Sequence, residues 1–326
     1  MNKNNYTIGV LTSGGDAPGM NACVRAVTRT SFLKGAKIVG VMNGYEGLIN
    51  GEFKRWKNAR DVSGFLRKGG TALQTKRSER FREKSGQREA IRNMNEEGID
   101  GLIAIGGDGT LTGAHALAKQ GIQVIGIPAS IDNDIWGTDM AIGVDTALNT
   151  ITEAVDKLRD TASSHTRAFL VETMGRNSGY LAVQAGITSG ADIVLCPEFP
   201  ITVEDIAAQV EDAYRRGKNH AIIIAAEGAQ IRSTDLAKRL DELDVGFKTR
   251  VTILGHIQRG GSPTAFDRLL ATRLGIRAVE VLLEGTTDYM VGLRGRDITM
   301  APLEDVISNP RPLNMEHYNM VRQLAK

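Results

Sequence analysis

Residues 101–143 read GLIAIGGDGTLTGAHALAKQGIQVIGIPASIDNDIWGTDMAIG, and this stretch decides the fold prediction. Two short apolar runs, residues 102–105 and 124–128, are typical of buried strands, and residues 111–120 between them predict a helix. An acidic cluster follows each run at once, GGDGT after the first and SIDND after the second. Because ligands in open α/β sheets bind at the carboxyl ends of the strands, the stretch predicts a β-α-β unit that carries a ligand site.

The residue types in the two clusters favour a phosphate ligand accompanied by a metal ion. Gly107 and Gly109 have no Cβ to hold the backbone away from a ligand, and a helix that begins near Thr110 offers free N–H groups and a positive dipole end. Acids beside a phosphate need a cation between them, and Mg²⁺ is commonly held by one or two carboxylates and phosphate oxygens. Asp108 and one acid of SIDND are therefore candidate ligands, and the other acid is a candidate base. Either cluster alone would also suit an ordinary turn, but two at consecutive strand ends favour a site.

The composition is that of a globular protein without the features of nucleic-acid or membrane binders. The 326 residues are 41% hydrophobic and 24% charged, which is enough for two domains or one large α/β domain. The net charge of +2 and the 5% of aromatic residues argue against nucleic acid as a partner. No apolar run approaches the roughly 18 residues that span a bilayer, and the polar residues 1–6 predict no signal peptide. Cys23 and Cys196 have no metal-like spacing, so we expect reduced thiols and a cytoplasmic protein.

Predicted strands and helices alternate along the chain, which indicates the α/β class with mostly parallel sheets. The predicted strands are residues 7–11, 37–42, 102–105, 124–128, 166–172, 191–196, 220–226 and 250–254. The predicted helices are residues 21–32, 111–120, 145–161, 180–189, 203–216, 236–243 and 264–283. Residues 51–67 are mixed and polar, and the tail from residue 297 is expected to be peripheral.

A second glycine loop, residues 13–20, follows the first predicted strand. Its glycine spacing is that of a P-loop, but Met20 and Asn21 stand where Lys and Ser/Thr are required, so it is not a Walker A motif. The dinucleotide fingerprint GxGxxG is also absent. A phosphate-facing loop then needs a cation from elsewhere, and Arg77 in the basic stretch 73–80 is a candidate. The alternative for that stretch is a solvated basic loop.

The second half of the chain places basic residues at or near the ends of predicted strands. Arginine suits phosphate because it donates two parallel hydrogen bonds, so this half favours a second phosphorylated ligand. The residues are Arg167, Arg176, Arg250, His256 and Arg259.

Five motifs together resemble the bacterial ATP-dependent 6-phosphofructokinase family: TSGGDAPGMNA at 12–22, IGGDGT, IDND, TMGR at 173–176 and LGHIQRGGSP at 254–263. The resemblance covers essentially the whole chain. It implies transfer of the ATP γ-phosphoryl to the 1-hydroxyl of fructose 6-phosphate, giving fructose 1,6-bisphosphate and ADP. It also implies two similar Rossmann-like three-layer domains with mostly parallel sheets and an active site in the cleft between them. The expected ATP-binding domain is residues 1–142 plus 258–308, and the expected fructose 6-phosphate-binding domain is residues 143–257 plus 309–326.

The resemblance assigns roles to residues of this sequence that match the family motifs. The expected ATP and Mg²⁺ residues are Gly15, Arg77, Ser78, Gly107, Asp108, Gly109 and Thr110, with Asp108 at the metal. The expected catalytic residues are Asp132 as the base, Asp134, Arg77 and Arg176. The expected sugar-phosphate residues are Ser130, Ile131, Asp132, Arg167, Met174, Gly175, Arg176, Glu227, Arg250, His256, Ile257, Gln258 and Arg259. Ser130 replaces the Thr of well-known relatives but keeps the hydroxyl.

Two further implications concern assembly and regulation. Arg167 and Arg250 match arginines that reach the sugar-phosphate site from a neighbouring subunit, which implies a homotetramer. An effector site for ADP or phosphoenolpyruvate is expected at Arg25, Arg29, Arg159, Gly190, Asp192, Arg216, Lys218 and His220. Ala59 and Gly64 stand where this site carries Arg and Asp in relatives, although Arg60 and Asp61 lie nearby, so the effector and the sign of its effect stay open.

Three alternatives are weighed against this function. Pyrophosphate-dependent relatives carry Asp and Lys where this chain has Gly109 and Ala129, and both residues here favour ATP. The GGDGT motif alone also occurs in NAD kinases and lipid kinases, which lack the other stretches. A catalytically dead nucleotide-binding module would be expected to have lost Asp132 or Arg77, and both are present.

Overall fold

A computed structural model describes residues 6–325 and divides the chain into two compact units. The first contains the chain up to Thr146 together with Arg259–Arg311, and the second contains Ala147–Gln258 together with the chain from Pro312 onward. The absence of a signal peptide was predicted from residues 1–6, of which 1–5 lie outside the described residues. Between residues 6 and 325, every helix is too short or too polar to cross a membrane.

The first unit is built on a seven-stranded sheet. Its strands are β1 (Thr7–Ser13), β2 (Lys37–Val41), β3 (Phe53–Arg55), β4 (Gly101–Gly106), β5 (Gln123–Pro128), β10 (Tyr289–Arg294) and β11 (Asp297–Pro302). The spatial order is β11-β10-β5-β4-β1-β2-β3, and only the two edge strands, β3 and β11, run antiparallel to their neighbours. The central strands β1 and β4 are buried along their whole length. Apolar and polar residues do not alternate along these two strands, because a parallel sheet is covered by other elements on both faces.

The helices of the first unit connect these strands. They are α1 (Met20–Leu33), α2 (Gly44–Asn50), α3 (Lys84–Glu97), α4 (Asp108–Ala118), α9 (Ala265–Leu283) and α10 (Leu303–Ser308). Helix α5 (Val144–His165) begins in this unit and continues into the second.

The second unit contains a smaller sheet that is parallel throughout. Its strands are β6 (Arg167–Thr173), β7 (Ile193–Leu195), β8 (Ala221–Ala226) and β9 (Lys248–Ile253), in the order β7-β8-β6-β9. The remaining helices of this unit are α6 (Tyr180–Ser189), α7 (Val203–Arg215), α8 (Ser233–Glu242) and α11 (Met315–Leu324). A short 3₁₀ helix, Gly255–Arg259, follows β9.

A buried carboxylate on α9 fixes the beginning of α5. Asp267 is fully buried and accepts hydrogen bonds from the backbone N–H of Gly143 at 2.9 Å and of Thr146 at 2.8 Å, and from the Thr146 hydroxyl at 2.6 Å. These N–H groups lie at the amino end of α5, where a negative charge is favoured by the helix dipole. Burial nevertheless outweighs the hydrogen bonds and raises the pKa of Asp267.

The structure confirms the α/β class with mostly parallel sheets, and it adds elements that were not predicted from the sequence, among them α2, α3, β3 and β10. The strongly polar α3 had no predicted counterpart, because only Gly86, Ala90 and Met94 on one side of it are buried. The prediction of a peripheral tail from residue 297 is wrong. Strand β11 pairs with β10, and α10 buries Leu303 and Val306.

Candidate active site

A cavity of about 640 Å³ opens in the first unit at the carboxyl ends of β1, β4 and β5. The chain continues from β1 to β2 on one side, whereas β4 and β5 lie on the other side, so the strand order reverses between β1 and β4. Such a reversal is where open α/β sheets form a ligand crevice. The cavity brings together the predicted residues Gly15, Arg77, Ser78, Gly107, Asp108, Gly109, Thr110, Ser130, Asp132, Asp134 and Arg259.

The amino end of α4 forms one wall of the cavity and is suited to bind an anion. Gly107 caps the helix, and Thr110 in the first turn is buried with a hydroxyl that has no hydrogen-bond partner among residues 6–325. A Cβ added to Gly109 would meet no atom within 4 Å, so the space in front of the first turn is open. An unsatisfied buried hydroxyl at a helix amino terminus is the environment that a phosphate oxygen satisfies.

The acidic residues lie across the same cavity and influence each other. Partial burial, and secondly the negative charge of Asp134, raise the pKa of Asp108. The hydroxyl of Ser130 donates to Asp134 at 3.3 Å and accepts from the backbone N–H of Asp132 at 3.3 Å. One serine therefore orders the turn that carries both acids of the second cluster.

The turn between these acids depends on Asn133. This residue has a φ of 49°, in the left-handed region that asparagine tolerates better than most side chains. Its buried amide accepts from the backbone N–H of Ala141 at 3.0 Å and donates to the carbonyl of Asp139 at 3.2 Å. Asn133 thus holds Asp132 and Asp134 on a fixed turn. The sequence analysis did not single it out, although an Asn between two acids is a signal for such a turn.

The arginines that line the cavity come from different parts of the chain. Arg77 is exposed, and it makes no salt bridge with any residue from 6 to 325. Arg259 donates from Nη1 to the carbonyl of Asp16 at 3.0 Å. Arg82 also lines the cavity and was not among the predicted site residues. Three arginines therefore line the cavity that also contains the acids, which suits a bound polyphosphate.

Asp108 fits the role of a Mg²⁺ ligand. Among the described residues, no group of three or more His, Cys, Asp or Glu side chains is placed to hold a metal ion by itself. Mg²⁺ does not need such a cage, because it is usually bound through one or two carboxylates and completes its octahedron with phosphate oxygens and water. The raised pKa of Asp108 reflects a carboxylate whose charge is poorly compensated, which a divalent cation would correct.

An aromatic pair in the lining of the cavity was not predicted from the sequence. Tyr45 and Phe81 stack with ring centroids 4.0 Å apart and an interplanar angle of 14°. The buried Tyr45 hydroxyl donates to the carbonyl of Thr110 at 2.6 Å, and burial raises its pKa. Gly113 is required here, since a Cβ on it would come within 2.6 Å of the Tyr45 ring. The available signal was the scarcity of aromatic residues, because only 8 Phe and 6 Tyr occur in the chain.

In the second unit, three predicted loops lie together at the carboxyl ends of β6, β8 and β9. The backbone N–H of Glu227 donates to the carbonyl of Thr173 at 2.8 Å, and that of Gly228 donates to Gly175 at 3.1 Å. Gly175 has a φ of 126°, which a larger residue would not adopt without strain. The exposed Arg176 guanidinium lies 3.7 Å from the Glu227 carboxylate. These contacts place Met174, Gly175, Arg176 and Glu227 at one sheet edge, and His256 lies in the 3₁₀ helix that follows the neighbouring strand β9.

Several predicted substrate residues do not share these positions. Ile131 and Gln258 are fully buried, so their side chains do not reach a cavity surface. Arg167 begins β6 at the opposite end from the Met174 loop, and a strand of 7 residues extends about 23 Å. Arg250 lies within β9, opposite Phe169, and donates to the carbonyl of its neighbour Thr249. Neither arginine belongs to the loop edge of the sheet.

The predicted effector residues fall into two groups. Arg25 and Arg29 lie one turn apart on α1 in the first unit, and burial followed by the charge of Arg29 lowers the pKa of Arg25. In the second unit, Arg159 donates to the carbonyls of Ser189 and Gly190, and Lys218 pairs with Asp192 at 2.7 Å. Partial burial, followed by the charge of Arg159, lowers the pKa of His220. Arg216 pairs with Asp212 at 2.9 Å.

A larger cavity of about 820 Å³ lies in the second unit, lined by residues of α7 and α11. Of the predicted residues it contains only Asp192, and it contains none of the predicted catalytic side chains. The smaller cavity of the first unit, by contrast, is lined by the predicted catalytic residues Asp132, Asp134 and Arg77.

Comparison with known proteins agrees with this geometry. The Phosphofructokinase family profile matches residues 7–282. The chain is 50% identical over 319 residues to the ATP-dependent 6-phosphofructokinase of Thermotoga neapolitana, covering 98% of this chain and 99% of the relative. It is 45% identical over 318 residues to the enzyme of the same name from Shouchella clausii, covering 98% and 99%.

Solved structures extend the comparison. Pichia pastoris phosphofructokinase in the T-state superposes with a TM-score of 0.89 at 39% identity, over 93% of this chain and 35% of the yeast chain. A pyrophosphate-dependent phosphofructokinase from Marinobacter aquaeolei has a TM-score of 0.87 at 21% identity, over 98% and 91% of the two chains, which shows a shared fold alone. The chain belongs to the phosphofructokinase family, as its motifs predicted.

Proposed function

We propose that this protein is an ATP-dependent 6-phosphofructokinase, which transfers the γ-phosphoryl of ATP to the 1-hydroxyl of fructose 6-phosphate. The observation that carries the proposal is the cavity of the first unit. It combines an anion-binding helix terminus with the acids Asp108, Asp132 and Asp134 at the ends of two adjacent strands. Curated relatives that match nearly the whole chain have this activity in their names.

Asp132 is the proposed general base. The attacking hydroxyl must lose its proton as the new phosphorus–oxygen bond forms, and a carboxylate within hydrogen-bond reach accepts it. The bond from the γ-phosphorus to the bridging oxygen breaks, and ADP leaves with that oxygen. The serine and asparagine contacts of the turn hold Asp132 in place for this step. Asp134 on the same turn is the second proposed acid.

The remaining roles are electrostatic. Charge on the transferred phosphoryl is stabilised by groups that are already in place, and Arg77 with the first turn of α4 supplies them on the donor side. Mg²⁺, when bound at Asp108 and the phosphates, supplies further positive charge there. Arg176 is the proposed cation on the sugar side, with Glu227 orienting its guanidinium.

ATP rather than pyrophosphate is the proposed donor. The first turn of α4 leaves open space at Gly109, where an acidic side chain would repel the nucleotide phosphates. Ala129 is buried at the cavity wall and offers no cation to a small donor. Tyr45, Phe81 and Gly113 line the same cavity, and an aromatic lining suits a nucleoside.

The sugar-phosphate site is proposed to be completed by a second subunit of a homotetramer. Arg167 and Arg250 lie away from the loop edge of their own sheet, so they are free to serve a neighbouring copy. We also propose an effector site for ADP or phosphoenolpyruvate that includes the basic groups of the second unit, Arg159 and Lys218. An effector that regulates must discriminate between two states, so binding alone would not establish control.

A product assay tests the proposed function. The purified protein is incubated with fructose 6-phosphate, Mg²⁺ and either ATP or pyrophosphate, and sugar products are identified by ³¹P NMR. We expect fructose 1,6-bisphosphate and ADP with ATP, and a rate lower by at least two orders of magnitude with pyrophosphate. Equal rates with both donors would contradict the donor assignment, and no bisphosphate with either would reject the function.

A further inference from the structure

One side chain among the sugar-phosphate loops is buried where its neighbours are exposed. In the 3₁₀ helix Gly255–Arg259, His256 and Ile257 are exposed, whereas Gln258 is 0% exposed. A glutamine is seldom fully buried unless its amide is hydrogen-bonded. Its burial therefore indicates a specific use for the amide.

Both ends of the Gln258 amide are used within the second unit. Oε1 accepts from the backbone N–H of Met174 at 3.2 Å, and Nε2 donates to the carbonyl of Gly255 at 2.9 Å. The first bond reaches the loop that follows β6, and the second closes the 3₁₀ helix that follows β9. One side chain thus joins two loops that are far apart in sequence.

The loop after β6 is already held on its other side. Gly228 donates to the carbonyl of Gly175 at 3.1 Å, and a Cβ on Gly228 would come within 1.9 Å of the Arg176 carbonyl. The loop after β8 therefore fixes Gly175 and Arg176, and Gln258 fixes Met174. The Gln258 bond is the direct side-chain link from the β9 loop to this cluster.

We infer that Gln258 is a positioning residue for the sugar-phosphate site and does not itself touch the substrate. The inference rests on the proposed function. Its amide fixes the position of the Met174 backbone relative to the 3₁₀ helix. As a result, Arg176 and His256 are held together where the phosphorylated sugar would bind. Groups that are oriented before binding lose less entropy when the ligand arrives, so loss of the link should weaken sugar binding selectively.

Gln258→Met tests this inference, because methionine has a similar volume and neither hydrogen-bonding group. We expect the KM for fructose 6-phosphate to rise about tenfold, as the loss of a hydrogen bond to a buried group implies. The KM for ATP should change less than about twofold and kcat less than about threefold. Gln184→Met is the matched control, since Gln184 bonds His317 in the same unit and contacts neither loop. It should leave all three constants at wild-type values.

A direct structural readout accompanies the kinetics. Hydrogen exchange at the Met174 amide should be slow in the wild type and faster in Gln258→Met, while amides within β6 stay protected. Gln258→Asn is one methylene shorter and can reach only one partner, so it should show the same selectivity to a smaller degree. It serves as the test if Gln258→Met does not fold.

The outcomes separate the two hypotheses. If the wild type phosphorylates fructose 6-phosphate and the Gln258 variants keep its KM, the positioning role is wrong and the function stands. An equal rise in both KM values, or a lower melting temperature with unchanged KM, would show a general structural role and also overturn the inference. A wild type that makes no bisphosphate would reject the proposed function, while altered exchange at Met174 would still support the loop contact.

Discussion

The Arg259 guanidinium lies against Gly15 so closely that a Cβ at Gly15 would come within 2.5 Å of Nη1. Gly15 has no positive φ, so the backbone conformation is open to other residues and the reason for glycine is this close approach. The contact brings a residue from the LGHIQRGGSP motif onto the loop that follows β1, where Arg259 also bonds the Asp16 carbonyl.

Gly15→Ala should therefore displace Arg259 from this loop. We expect the KM for ATP to rise about tenfold, equivalent to about 1.4 kcal/mol of binding energy, because the displaced guanidinium would no longer be held beside the phosphate-facing loop. Thermal stability should change little, since the guanidinium can move towards solvent. Steady-state kinetics check this, with Gly64→Ala as the control, because a Cβ there would meet only the end of the Lys68 side chain at 4.0 Å, away from the cavity. Equal behaviour of the two alanine variants would contradict the contact.

Gly109→Asp should impair the use of ATP and leave the fold intact. The new side chain has space, but its charge would face the nucleotide phosphates. We expect kcat/KM for ATP to fall at least about a hundredfold through charge repulsion in a partly buried site. Circular dichroism should match the wild type. An unchanged kcat/KM would show that the nucleotide does not pass this turn.

Tyr45→Phe should weaken ATP binding without removing the aromatic stack. The variant loses the hydrogen bond to the Thr110 carbonyl and keeps the ring against Phe81. We expect the KM for ATP to rise about fivefold, the equivalent of one ordinary hydrogen bond. The KM for fructose 6-phosphate should not move. A selective effect on the sugar would place Tyr45 outside the nucleotide site.

The affinity of the site for a metal ion should fall as the pH is lowered through the range in which Asp108 becomes protonated. The pKa of Asp108 is raised by burial and by Asp134, so its protonated form persists to higher pH than that of an ordinary carboxyl. Protons then compete with the cation, and the Mn²⁺ concentration for half-saturation, measured by EPR with ADP present, should increase as pH falls. Asp134→Asn removes one cause of the raised pKa, so the same increase should begin at lower pH. A pH-independent affinity in the wild type would remove Asp108 from the metal site.

The sequence predicted those features that follow from local patterns. Apolar runs followed by glycine loops located the strand ends, and the acids of GGDGT and SIDND line one cavity at the ends of β4 and β5. The aromatic pair was missed because Tyr45 and Phe81 lie on elements that meet only in the tertiary structure. The family resemblance implied that Gln258 contacts the substrate, and only the structure shows that its amide is buried and hydrogen-bonded within the protein. The β10–β11 hairpin was missed because it is partly exposed and lies beyond the last recognised motif.

The central claim is that Asp132 removes the proton from the sugar hydroxyl, and the Asp132→Ser variant tests it most directly. Its kcat and its dissociation constant for fructose 6-phosphate are measured together, with Asp305→Ser as a control that makes the same change on an exposed face of the first unit. We expect kcat to fall about a thousandfold, the usual contribution of a general base, while the dissociation constant changes less than about threefold. A kcat within tenfold of the wild type would contradict the account.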